Sequence, residues 1–135
     1  MSFVLFSRIY KTTKKIGLID CLEYGLAMIG HHDAICNMLK KENLPRVDYR
    51  VSMDYGAVIL MKSNTSFSID MIGSPINICA KINRYAQPND MVIGGDLYEQ
   101  VKHYDDYCFK EMSEFSLGLK MSYPIYSIKK ELHNE

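Results

Sequence analysis

The chain has 135 residues, room for one domain with its own core, and its 16 Lys and Arg balance its 16 Asp and Glu. Balanced charge with no basic cluster leaves no field to draw the chain onto nucleic acid or an anionic membrane, so an anionic ligand must be gripped locally. No apolar run approaches the ~18 residues of a membrane helix, and the amino end carries its apolar piece before its basic residues, the reverse of a secretory signal. Four scattered cysteines, without a C-x-x-C pair, suit free thiols packed among apolar neighbours in a reducing cytoplasm.

Residues 3–6 form a short apolar run that predicts a buried strand, and residues 8–15 a basic connection. From Asp20, with Glu23 three residues on as a capping box, Leu22, Leu26, Ile29, Ile35, Met38 and Leu39 recur near a helical period until Asn43, Leu44 and Pro45 end it. The pattern predicts one amphipathic helix of about six turns. Val47, Tyr49, Val51 and Met53 alternate with Asp48, Arg50, Ser52 and Asp54, as in a strand with one wet face, and Gly56 separates it from the apolar run 57–61, predicting a hairpin.

Residues 62–66 read as a polar loop and 67–72 as extended, and Ser74 and Pro75 read as N-cap and first residue of a helix to about Ala86. After the break at Gln87, Pro88 and Asn89 come a short strand at 91–93, Gly94 and Gly95, and a helix capped by Asp96 that runs to about His103. Residues 107–112 and 122–128 alternate like a closing antiparallel pair. The sum is an α+β fold, an antiparallel-rich sheet with helices packed on it, as one domain over 1–129 with a disordered tail at 130–135.

Within the stretch 68–82, Asp70, Gly73, Asn77 and Lys81 are spaced D-x-x-G-x-x-x-N-x-x-x-K. On a helix from Ser74, Asn77, Lys81 and Arg84 fall at i, i+4 and i+7 and share a face, while Ile76, Cys79, Ala80 and Asn83 lie on another. That polar stripe meets either water or a ligand. His31, His32 and Asp33 invite a metal reading, but neighbouring histidines on a helix point about 100° apart and read as solvent-exposed. The nine methionines fit core positions, and the ten tyrosines are not interleaved with a basic run as in single-strand binders.

DMIGSPINICAK resembles D-x-[VI]-G-x-x-[VI]-N-x-[AS]-x-R, the pattern of the class III nucleotidyl cyclases, the catalytic domain of adenylate and guanylate cyclases. Two positions depart from it: Cys79 takes the small-residue place and Lys81 the arginine's. YRVSMDYGAVIL is similar to the family's strand-Gly-strand segment, NRYAQPNDMVIGGDLYEQV to its helix, Pro, strand and following helix, and SLGLKMSYPIYSI to its closing hairpin. The resemblance covers most of the chain from about Asp20. It implies the family's ferredoxin-like, palm-type antiparallel sheet, and the reaction in which the ribose 3′-hydroxyl attacks the α-phosphate of ATP, giving cyclic AMP and pyrophosphate.

Carried over by resemblance, Asp70 accepts a hydrogen bond from the exocyclic amine of adenine, Asn77 orients the ribose, and Lys81 neutralises phosphate charge without arginine's planar fork. Arg84 is a stand-in cation one turn on, and Lys120 matches the basic residue that reaches the phosphates from the last hairpin. The family also holds two Mg²⁺ or Mn²⁺ ions on two aspartates, and neither aspartate is visible here. Setting Lys15, Ile16, Gly17 and Leu18 on the family's K-x-x-G-D turn puts a leucine where a ligand belongs. A second alignment makes residues 3–6 the strand just after that turn, so that Met1 falls downstream of both ligands. Asp54, beside a turn, and Asp96, as a cap, read as structural. The expected function is a cyclase-like domain in cyclic nucleotide signalling, inactive alone, as a homodimer or in a heterodimer. The alternative is a non-catalytic nucleotide-binding or regulatory module that pairs with a metal-bearing cyclase domain.

Overall fold

A computed structural model describes residues 2–4, 15–57, 59–62, 69–112 and 123–131. In chain order these form β1 (Ser2–Val4), α1 (Lys15–Gly30), α2 (His32–Lys41), β2 (Arg50–Met53), β3 (Ile59–Lys62), β4 (Ile69–Ile72) and α3 (Ser74–Ile82), which a 3-10 turn (Asn83–Tyr85) extends; β5 (Met91–Gly94), α4 (Gly95–Val101), β6 (Tyr107–Glu111) and β7 (Ile125–Lys130) follow. Among the described residues no helix is long and apolar enough to cross a membrane.

Five strands make one sheet in the order β1-β2-β5-β7-β6, and β3 and β4 make a separate two-stranded ribbon. The closing pair is antiparallel, Tyr107 opposite Lys130 through Glu111 opposite Tyr126, and β7 also pairs antiparallel with β5. The other half of the sheet runs parallel, β1 beside β2 and β2 beside β5, because helices carry the chain from one strand back to the next. The expected hairpin after β2 does not form. With β1 and β5 on its two sides, β2 has no free edge, so the chain leaves the sheet at Asp54 and β3 pairs with β4 instead.

The single long helix of the sequence pattern is two helices broken at His31. Leu18 and Leu22 of α1 are buried, as the period requires, whereas Ile35 and Met38 of α2 are exposed, since the break turns that stripe off the sheet. Lys15 and Leu18 lie in the opening turn of α1, so this stretch is not a turn between strands.

Helices cover both faces. Val51, Met53, Met91 and Ile93 point one way, into a core with Leu18, Leu22, Leu97 and Val101. Val92 and Ile125 point the other way, against Ile82 and Ala86 at the end of α3. Burying an isoleucine such as Ile82 completely stabilises the fold by about 1.5–3 kcal/mol. Ser52, on the face read as wet, is fully buried beneath α3. Its hydroxyl donates to the Cys79 carbonyl at 3.0 Å and accepts from the Asn83 side-chain amide at 3.1 Å. Burial with these partners is tolerable, since each polar atom is hydrogen-bonded.

Candidate functional site

The residues of the opening motif lie on the ribbon and on α3. The Asp70 backbone sits in β4 opposite Met61, two residues before the strand ends at Ile72. Gly73, extended, is the residue before α3, and Pro75 stands in the first turn, where its missing N–H costs nothing. The helix cap is therefore Gly73 rather than Ser74, with no side-chain cap bond. A side chain on Gly56 would run into the Pro75 ring, so the chain leaving β2 rests directly on the start of α3.

Along α3, Cys79, Ile82 and Asn83 are buried against the sheet, and Asn77, Lys81 and Arg84 are exposed. The helical spacing thus separates the faces as expected, except that Ala80 is also exposed. The inward face is fixed by apolar contact and by the Ser52, Cys79 and Asn83 hydrogen bonds, which leaves the amide and two cations facing outward. Burial also pushes the Cys79 thiol pKa up, against a hydrogen bond to Ser52, so it stays a neutral packing group. Lys120 lies outside the described residues.

Three polar clusters escaped the reading of the sequence. The first is Asp54. Its carboxylate accepts from the Tyr55 N–H at 2.8 Å, the Leu97 N–H at 3.3 Å and the Tyr123 hydroxyl at 2.8 Å. Burial raises its pKa above the ordinary carboxylate value, and these three hydrogen bonds pull it back. Asp54, not Asp96, caps α4 from outside the helix; Asp96 is exposed in the first turn.

The second cluster surrounds His32, which is buried rather than solvent-exposed. Its Nε2 lies 2.8 Å from the Val47 carbonyl and 3.3 Å from Asp48 Oδ1, and its ring meets Tyr49 edge-on. The break at His31 turns this side chain inward, and Cys36, one turn on, lies 3.4 Å from the same nitrogen. In the third, the Tyr107 hydroxyl donates to Glu23 at 2.6 Å and Lys130 reaches it at 3.1 Å, so the last residue of β7 meets α1. Cys108, read as packed, is exposed.

A cavity of about 350 Å³ opens between α1 and the far ends of β5 and β7, lined by Leu26, Ile29, Met91 and Ile128 with Glu23 and Lys129 at its rim. Asn77, Lys81 and Arg84 do not line it. Among the described residues no group of three or more His, Cys, Asp or Glu could hold a metal ion. Asp54, the half-buried carboxylate beyond β2, is already committed to three protein donors. The described residues therefore do not fit the metal pair of the cyclase reaction.

No family model matches the chain, and no curated relative matches it. Among solved structures, the crystal structure of the adenylyl cyclase CyaB from P. aeruginosa aligns with 94% of this chain at a TM-score of 0.70 and 13% identity. The chain spans 66% of that structure's length. At that identity the likeness concerns the fold: the chain has a cyclase-like α+β fold.

Proposed function

We propose that this chain is a cyclase-type domain that grips ATP, or a related nucleotide, through its base and ribose, and that forms no cyclic AMP by itself. The observation that carries the reading is the outward face of α3. Asn77, Lys81 and Arg84 stand in solvent on a helix that starts directly after the strand holding Asp70, within a cyclase-like fold.

In this reading Asp70 accepts from the adenine amine, which a carboxylate cannot do from guanine's carbonyl. Asn77 orients the ribose, Lys81 and Arg84 draw in the phosphates, and Lys120 adds a further cation. A lysine gives charge without a bidentate fork, so it suits holding a nucleotide better than fitting a pentavalent phosphorus. Since no metal-holding cluster lies among the described residues, this reading gives catalysis to a metal-bearing cyclase domain paired with this one.

Titration of the purified chain with fluorescent ATP and GTP analogues tests the reading. ATP binds more tightly, Asp70→Lys removes the preference, and Lys81→Ala weakens ATP by about tenfold or more. Equal binding of the two nucleotides before and after Asp70→Lys refutes the base contact. Metal-dependent cyclic AMP from the purified chain alone refutes the division of labour.

A further inference from the structure

Asp54 joins parts of the chain that lie far apart in sequence. Its carboxylate ties the end of β2 to the first turn of α4 through the Leu97 N–H at 3.3 Å, and to the lead-in of β7 through the Tyr123 hydroxyl at 2.8 Å. Tyr123 closes the network, because its oxygen also accepts the Asp96 N–H at 3.0 Å. The approach is tight: a Cβ on Gly94 would collide with the Asp54 carboxylate.

From this anchor the chain departs for the ribbon. Two residues after Asp54, Gly56 rests on Pro75, which belongs to the helix that the ribbon leads into. The entry and exit of the β3–β4 ribbon therefore meet at one point, next to the Asp54 network. A two-stranded ribbon is marginal by itself, so its pose depends on how its ends are held.

We infer that Asp54 and Tyr123 are positioning residues for the nucleotide site: they fix where the ribbon bearing Asp70 meets the helix bearing Asn77 and Lys81, without touching the ligand. The anchoring stands on the geometry above; its effect on nucleotide binding rests on the proposed function.

Tyr123→Phe removes a single hydroxyl. Native-state amide exchange of Ile59–Lys62, Ile69–Ile72 and the first turn of α4 is expected to speed up about tenfold, the effect of one hydrogen bond to a charged acceptor, while exchange in β6 stays unchanged. Affinity for the fluorescent ATP analogue, measured far below the unfolding midpoint, falls by a similar factor. Asp54→Asn, which keeps an oxygen for the Tyr55 and Leu97 amides, loses less than Asp54→Ala. Unchanged ribbon exchange in Tyr123→Phe overturns the inference. Faster ribbon exchange with unchanged nucleotide affinity overturns the positioning role. Faster ribbon exchange in a chain that never bound nucleotide supports the anchoring and refutes the proposed function instead.

Discussion

Replacing Ser52 by alanine tests how α3, and with it the outward Asn77, Lys81 and Arg84, is held to the sheet. Ser52 is 0% exposed, and its hydroxyl serves both the Cys79 carbonyl at 3.0 Å and the Asn83 amide at 3.1 Å. The Cys79 carbonyl keeps the N–H of Asn83, so its loss is small. The Asn83 side-chain amide loses its 3.1 Å acceptor and keeps the longer contact to the Arg50 carbonyl at 3.5 Å. The two losses together come to about 2 kcal/mol, at typical values for buried hydrogen bonds. With a urea slope of about 2 kcal/mol per molar, the unfolding midpoint drops by about 1 M with the slope unchanged. Asn83→Leu removes the other partner, and the double variant is less destabilised than the sum of the singles by about 1 kcal/mol. A midpoint within about 0.2 M of the unaltered chain, or additive single effects, would refute the idea that this buried pair holds the helix.

Burial raises the Asp54 pKa above its unfolded value of 3.8, so between 3.8 and the folded pKa the folded state holds a proton that the unfolded chain has released, and above that window the group is the carboxylate. Stability from this group is therefore greatest below 3.8 and falls as pH rises through the folded pKa, and Asp54→Asn flattens that part of a stability-against-pH curve. Glu23 has the opposite sign. The Tyr107 hydroxyl lowers its pKa below 4.5, so its contribution is present above that value and lost on acidification; in Tyr107→Phe the Glu23 titration followed by NMR moves up toward 4.5. Gly94→Ala drives a methyl into the Asp54 carboxylate and costs about 1–3 kcal/mol in thermal or urea unfolding, and less in an Asp54→Gly background. His32→Ala removes a buried ring and its bond to the Val47 carbonyl and costs about 2–4 kcal/mol; an effect under about 0.5 kcal/mol would mean that the ring sits in solvent.

Local pattern determined what a single segment can settle alone. The alternation in 107–112 became β6 (Tyr107–Glu111), and the alternation read to 128 became β7 (Ile125–Lys130). β5 ends at Gly94 and α3 carries Pro75 in its first turn, because side-chain period and backbone punctuation act within a few residues. Helical spacing likewise determined that Asn77, Lys81 and Arg84 point away from Cys79, Ile82 and Asn83. Which face meets water was settled by the apolar contact of Ile82 and Ala86 with Val92 and Ile125.

The rest required the assembled chain. Ser52 belongs to a strand whose alternation reads as half wet, but a period of two says only that the faces differ, and here α3 covers the polar one. His32 turned inward and Asp54 became a helix cap because Val47, Leu97 and Tyr123 came from distant segments to meet them. The mixed sheet order followed from the same cause: pairing goes to whichever edges the helices leave open, and a strand's own residues carry no record of its neighbours.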